Sequence, residues 1–246
     1  MKIYAVGLGP GDTDYIAPRA KEALLRSDVI VGYTGYVELI SGLLENCGKK
    51  VISTGMTGEV ERCEAAITEA LGGKQVCVVS GGDAGIYGMA ALLFELAEKH
   101  PGVEIEIIPG ITAAVSAAAI LGSPLTNDFA VISLSDLLTP WDMIEKRLDA
   151  ASSADFVICL YNPQSHKRSD YLEKARDIAL RHKPPGTMCG YVRNAFRGAG
   201  SESGSGICTL AELPKARVDM FTTVIIGNSG TRVINGKLVT VRGYKL

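Results

Sequence analysis

Gln75-Val-Cys-Val-Val-Ser-Gly-Gly-Asp-Ala-Gly-Ile-Tyr-Gly88 is the stretch that decides the fold class. Its opening run, Val76 to Val79, is apolar without interruption, too short for a helix and rich in β-branched side chains. Such a run suits a strand buried on both faces, which is the situation of a central strand in a parallel sheet covered by helices. Four glycines follow within residues 81–88, leaving the backbone open to close approach at the end of a strand, where ligands of open α/β sheets collect. Asp83 in this turn either accepts hydrogen bonds from an amino or hydroxyl group of a ligand or caps the helix that follows.

Working outward, the same alternation extends through the first half. Strand patterns at residues 3–8, 29–31 and 103–108 are interleaved with helical patterns at residues 17–25, 60–71 and 90–97. Strand and helix in turn predict a parallel sheet. Leu121-Gly-Ser-Pro-Leu-Thr-Asn-Asp128 interrupts the rhythm with turn-forming residues, and the domain boundary is placed there, giving residues 1–122 and 123–246. Beyond it stand strand patterns at residues 129–134, 156–160, 187–192 and 221–226 and a helix near 171–182. Asn235-Gly236 lies between two short apolar runs, which predicts a hairpin with a type I′ turn and makes the second sheet mixed. The fold class expected is therefore α/β, with an N-terminal domain on a parallel sheet and a C-terminal domain on a mixed one.

Of the 246 residues 47% are apolar, enough for a sizeable core, and the formal net charge of -2 provides no global basic field for nucleic acid or an anionic membrane. No run approaches the roughly 18 consecutive apolar residues of a membrane span. The start, Met1 to Asp12, enters a strand pattern without the features of a signal peptide, so a cytoplasmic protein is expected. The six cysteines contain no CxxC pair and the three histidines are scattered, so no metal or iron-sulfur centre is expected.

Two further loops accompany the first. Gly7-Leu-Gly-Pro-Gly-Asp12 stands where a dinucleotide fingerprint would, but Asp12 replaces the third glycine, Pro10 removes an amide donor, and no acidic residue ends the second strand to hold a ribose. The loop is thus either a tight turn or the seat of a ligand without phosphates. Pro109-Gly-Ile-Thr-Ala-Ala-Val-Ser-Ala-Ala-Ala119 offers small residues that let a helix pack closely on a sheet or on a cofactor, with Thr112 as a cap or a ligand contact.

The succession GxGPGD, SGGDxGIYG, PGITA, ISLSDLLTPW, LYNPxSxxR and VRNAxR resembles the tetrapyrrole (corrin/porphyrin) methyltransferase family over essentially the whole chain. Within it, Ile132 to Trp141 resembles the branch that methylates C17 of precorrin-3B or its cobalt form with ring contraction. The resemblance implies two α/β domains with the active site in the cleft between them, usually in a homodimer. It implies S-adenosylmethionine at Gly81, Gly82, Asp83 and Ile86, and further at Thr112, Ala113, Tyr161 and Ala195. Tyr161 can equally be a strand-terminating aromatic. One departure stands out: the related uroporphyrinogen methyltransferases carry Asp and Lys where this chain has Thr34 and Met56, so a proton-transfer scheme using that pair does not carry over.

A substrate bearing acetate and propionate groups needs charge-assisted donors, and Arg193 and Arg197 match carboxylates in geometry as well as charge. His166, Lys167 and Arg168 are alternatives, or simply a solvated face. Ser133, Ser135 and Thr139 are candidates for hydrogen bonds to substrate nitrogens or oxygens, or caps of the next helix. Asp12 and Asp136 are the carboxylates available for acid/base work in ring contraction. The rival readings are a nicotinamide-dependent reductase, another tetrapyrrole methyltransferase, and a binding module without turnover.

Overall fold

The computed structural model describes residues 1–165, 169–198 and 202–245. By internal contacts the chain divides into two compact units, Met1–Ala113 with Phe196–Ala199, and Ala114–Ala195 with Gly200–Leu246.

The first unit runs β1 (Lys2–Gly7), α1 (Pro18–Arg26), β2 (Val29–Tyr33), α2 (Thr34–Leu39), α3 (Ser41–Leu44), β3 (Lys50–Thr54), α4 (Glu59–Leu71), β4 (Val76–Ser80), α5 (Ala90–Ala97) and β5 (Glu104–Ile108). Its sheet has the order β3-β2-β4-β1-β5. Every pairing is parallel, as the alternating pattern predicted. Successive side chains point to opposite faces, so Ile3, Ala5, Val29, Val31, Val76 and Val78 enter one core under α4 and α5, whereas Val6, Ile30, Cys77 and Val79 enter another under α1. Burying each such aliphatic side chain contributes roughly 1.5–3 kcal/mol relative to leaving it in water. Pro18 opens α1, where its missing N–H costs no helical hydrogen bond.

The second unit continues α6 (Ala113–Leu121), β6 (Gly122–Ser123), β7 (Phe129–Ser133), α7 (Trp141–Ser153), β8 (Val157–Tyr161), α8 (Tyr171–Leu180), β9 (Met188–Arg193), β10 (Gly204–Thr209), β11 (Thr222–Ile226), β12 (Thr231–Ile234) and β13 (Lys237–Thr240). The boundary read from the sequence, at residue 122, lies at the far end of α6 from the division by internal contacts. Its five-stranded sheet, β10-β9-β11-β8-β7, is mixed, with one parallel pairing, β7 with β8, and three antiparallel ones. A three-stranded sheet, β12-β13-β6, holds the predicted hairpin, in which Asn235 and Gly236 both take the positive φ that a type I′ turn requires.

The small residues of α6 serve close packing. Ala114, Ala117 and Leu121 lie in one buried cluster with Val157, Cys159 and Val192 of the sheet. A Cβ on Gly190 of β9 would lie 2.7 Å from Leu121 Cδ1, so a larger residue there would make the Leu121 side chain shift. Lys183 is buried, donating to Asp155 at 3.3 Å and to the carbonyl of Phe156 at 3.0 Å, and burial pulls its pKa below the ordinary lysine value.

Candidate active site

In the first unit the loops after β1, β4 and β5 are tied to one another by backbone. Leu8 N–H donates to the Ser80 carbonyl at 2.9 Å, and Gly9 and Gly82 exchange hydrogen bonds at 3.0 and 2.8 Å. The third loop joins through Asp83, whose Oδ2 accepts from Gly110 N–H at 2.9 Å while Oδ1 accepts from Gly85 N–H at 2.8 Å. Steric need explains the glycines: a Cβ on Gly110 would lie 2.2 Å from the Gly82 carbonyl oxygen, and one on Gly7 would lie 2.6 Å from Gly110 N. Gly82 differs. It takes φ +67°, and a Cβ there would meet nothing closer than 3.7 Å, so its surroundings are open although its conformation favours glycine.

This junction assembles most of the expected cofactor residues. Gly81, Gly82 and Asp83 stand on one loop with Ile86, 40% exposed, and the atoms nearest a Cβ on Gly82 belong to Thr112 and Ala113. The other two stand in the second unit. Tyr161 ends β8, and its hydroxyl accepts from Ala114 N–H at 2.7 Å, satisfying an otherwise free amide in the first turn of α6. Ala195 is partly buried against the cluster that includes Val192.

The second unit also holds Ser133, Ser135, Asp136 and Thr139, in the segment between β7 and α7. Ser133 Oγ accepts from Asn162 Nδ2 at 3.0 Å and from Ser135 N–H at 3.2 Å. Asp136 accepts from the Tyr171 hydroxyl at 2.5 Å, and Tyr171 packs on Trp141 with ring centroids 4.4 Å apart. Both ends of the segment are thereby anchored while Leu137 and Leu138, 74% and 99% exposed, project into solvent.

The two arginines have different surroundings. Arg193 donates through Nε to Asp219 at 2.6 Å and through Nη1 to Glu202 at 2.7 Å, so two carboxylates of the protein already meet its fork. Arg197 belongs to the first unit. There a Cβ on Gly11 would lie 3.1 Å from Arg197 Cγ and 3.4 Å from Leu39 Cδ1. Phe196 stacks on Tyr15 with centroids 4.6 Å apart, and its carbonyl accepts from Asp12 N–H at 2.9 Å. The Asp12 carboxylate itself accepts from Asp14 N–H at 2.9 Å, a capping role at the short helix Thr13–Tyr15. His166, Lys167 and Arg168 lie outside the described residues.

Several features escaped the sequence. Asn162 just after β8, and Asn194 and Phe196 just after β9, all have φ near +50°. The Asn194 side chain donates to the Glu202 carbonyl at 2.9 Å, whereas its own Oδ1 is buried without a partner among the described residues. Tyr36 of α2 packs against Gly81, where a Cβ would lie 2.6 Å from its Cε1, and its only sequence signal is the spacing Tyr33-Thr-Gly-Tyr36 just after a strand. Thr34 donates to the Thr54 carbonyl at 3.1 Å and Met56 is half exposed, so these two positions hold no ion pair in this chain.

Comparison with known proteins agrees with this architecture. The family model of tetrapyrrole (corrin/porphyrin) methylases matches residues 2–213. A cobalt-factor III methyltransferase of Priestia megaterium is 45% identical over 249 residues, spanning 99% of this chain and 45% of that protein. The chain thus corresponds to less than half of that relative. A probable cobalt-factor III C(17)-methyltransferase of Salmonella typhimurium is 46% identical over 242 residues, covering 98% of both chains. The crystal structure of the methyltransferase CobJ superposes with a TM-score of 0.89 at 36% identity, covering 97% of this chain and 99% of that one. Motif order, matched span and likeness of structure together place the chain in the family of tetrapyrrole (corrin/porphyrin) methylases.

Proposed function

We propose that this chain transfers a methyl group from S-adenosylmethionine to C17 of a tetrapyrrole, cobalt-factor III or the metal-free precorrin-3B, with contraction of the ring. The observation that carries this reading is the 46% identity over 98% of both chains with the Salmonella relative named as a probable cobalt-factor III C(17)-methyltransferase.

The residues at the loop junction fit the cofactor. Asp83 keeps lone pairs for an amino or hydroxyl donor after accepting its two amides, Gly82 leaves its surroundings open, and no phosphate-cradling sequence is present. Gly81, Gly82, Asp83, Ile86, Thr112 and Ala113 are assigned to it in the first unit, Tyr161 and Ala195 in the second. When bound, S-adenosylmethionine supplies a methyl group already activated by the sulfonium charge. The protein's task is then alignment of donor and acceptor carbon, worth roughly 7–11 kcal/mol in favourable cases. Arg197 and Arg193 are assigned to substrate carboxylates, with Arg193 also ordering the chain through Glu202 and Asp219. Ser133 and Ser135 are assigned to polar groups of the macrocycle, and Asp12 and Asp136 to proton movement during contraction.

Among the described residues no helix is long and apolar enough to cross a membrane, and a cytoplasmic location remains part of the proposal. A homodimer is the proposed assembly, and the exposed Leu137 and Leu138 offer apolar surface that association can bury. The decisive experiment is incubation of the purified protein with methyl-labelled S-adenosylmethionine and cobalt-factor III. One labelled methyl on C17 of a ring-contracted product is expected. Binding of both ligands without product would reduce the protein to a binding module, and activity with NADH alone would move it to the reductases.

A further inference from the structure

Arg62, in the first turn of α4, is a charged side chain inside the protein, only 3% exposed. Taking a guanidinium out of water is costly, so its partners show what it is kept for. Its Nη1 donates to Thr54 Oγ1 at 2.6 Å and to the Gly55 carbonyl at 2.8 Å. Nη2 lies 3.5 Å from the half-exposed Glu59, and Nε is buried without a partner among the described residues. The guanidinium is thus directed at the turn of residues 54–58, just after β3. That turn is closely folded: a Cβ on Gly58 would lie 2.5 Å from Thr54 Oγ1 and 3.5 Å from Arg62 Nη1, and Thr57 holds φ +66°, a left-handed conformation unusual for a β-branched residue. Because every pairing in this sheet is parallel, the turn leaves it at the same edge as the loops after β1, β4 and β5. The link between them is α2. At its start the Thr34 hydroxyl donates to the Thr54 carbonyl at 3.1 Å, and two residues on the Tyr36 ring rests on the cofactor loop, where a Cβ on Gly81 would lie 2.6 Å from Cε1.

We propose that Arg62 is a positioning residue for the cofactor loop, clamping the turn of residues 54–58 to the start of α2 so that the Tyr36 ring stays seated on Gly81. The proposal rests on the methyltransferase reading and adds to it a residue outside every motif of the family resemblance. Three observations converge. Thr54 is shared, its hydroxyl accepting from Arg62 and its carbonyl from Thr34, so one residue joins α4 to α2. The turn cannot swing away without leaving a buried cation unpaired, which is far more costly than breaking an exposed pair. And α2, six residues long, is too short to hold itself, so the place of its Tyr36 depends on such tertiary contacts. Tyr33 packs edge-on against the same ring, with centroids 5.2 Å apart, and limits its rotation. A loop held in its binding shape before the ligand arrives loses less freedom on binding, and this is how a clamp remote from the cofactor raises affinity for it.

The test compares wild type with Thr54→Val, which removes only the hydroxyl that Arg62 reaches, and with Arg62→Met and Arg62→Lys. Thermal unfolding identifies the variants that fold, and Thr54→Val keeps the test alive should loss of the guanidinium prevent folding. S-adenosylhomocysteine affinity, by calorimetry, is expected to fall roughly threefold to tenfold in Thr54→Val and further in Arg62→Met, with Arg62→Lys recovering part of the loss. In turnover with cobalt-factor III, KM for S-adenosylmethionine should rise by a similar factor while kcat at saturating cofactor stays within about twofold. Mere loss of folded protein would lower kcat and leave KM in place. In a Tyr36→Ala background Thr54→Val should weaken the cofactor by less than about twofold, since the route to Gly81 is already cut. Unchanged cofactor affinity in Thr54→Val and Arg62→Met, or a fall in kcat with KM unmoved, would overturn the positioning role. A loss undiminished in the Tyr36→Ala background would overturn the route through α2. Failure of the wild type to bind S-adenosylhomocysteine at all would instead count against the methyltransferase reading itself.

Discussion

Asp83 Oδ2 accepts the amide hydrogen of Gly110 at 2.9 Å, and this one bond ties the loop after β4 to the loop after β5. The same carboxylate accepts from Gly85, so it serves its own turn and the neighbouring loop at once. Asp83→Ala is expected to lower stability by about 1.5–3 kcal/mol, the range for hydrogen bonds to a charged group, and to weaken S-adenosylhomocysteine binding because the junction loosens. Asn at this position should recover part of the stability, since its amide oxygen can accept one of the two bonds. Urea midpoints for the three proteins check the order, and equal midpoints would contradict a structural role for the carboxylate.

The glycines of the junction should differ in their tolerance of a methyl group. Gly110→Ala must push the loop away from the Gly82 carbonyl, 2.2 Å from the added carbon, and so break the contact between loops. Gly82→Ala meets no atom within 3.7 Å and is penalised only for its left-handed conformation, by roughly 1–2 kcal/mol. Thermal unfolding should therefore rank wild type above Gly82→Ala and that above Gly110→Ala. A Gly110→Ala protein as stable as wild type would show that the loops can separate without cost.

Arg193 and Arg197 should part company on mutation. Arg193→Ala removes the shared partner of Glu202 and Asp219 and should lower the unfolding midpoint slightly. Arg197→Ala should weaken the tetrapyrrole more than Arg193→Ala does. Parallel denaturation and titration of the two variants decide the matter, and reversed behaviour would exchange their assignments.

Asp219 links stability to pH. Burial alone would raise its pKa, but the hydrogen bonds from Arg193, the Thr222 hydroxyl and the Phe221 amide outweigh burial and hold it below the usual carboxylate value. Because the folded pKa is the lower one, the stabilisation is fully present above the unfolded pKa, near 3.8, and is lost as pH falls through the folded value. The stability difference between wild type and Asp219→Asn should be constant from about pH 6 to 8 and shrink below about pH 4. A difference that persists undiminished in acid would mean that ionisation of this carboxylate is not what stabilises the fold.

The thiols should react in two classes. Cys47 is exposed, whereas burial pushes the thiols of Cys63, Cys77, Cys159 and Cys189 up to about 12. Iodoacetamide at pH 8 is therefore expected to label Cys47 quickly and these four only in denaturant, since the thiolate is the nucleophile. Peptide mass mapping before and after unfolding reads the result, and rapid native labelling of Cys77 or Cys159 would contradict their place in the sheets.

The sequence by itself determined the class of both sheets, the order of the motifs and the family. Unbroken apolar runs such as Val76 to Val79 have only one stable environment, a strand covered on both faces, and Asn235-Gly236 has a backbone preference that dictates a hairpin. Three strands escaped it, the two-residue β6 inside the turn-rich boundary segment and two at sheet edges. Lys50–Thr54 and Gly204–Thr209 are edge strands, largely open to solvent and lacking the apolar repeat by which a strand declares itself. Only the tertiary structure decided which glycines admit no side chain, that Arg193 has two carboxylates of its own, and that Tyr36 lies against Gly81. Each of these depends on residues far apart in the chain meeting at distances of a few ångströms, and local propensity carries no information about such meetings.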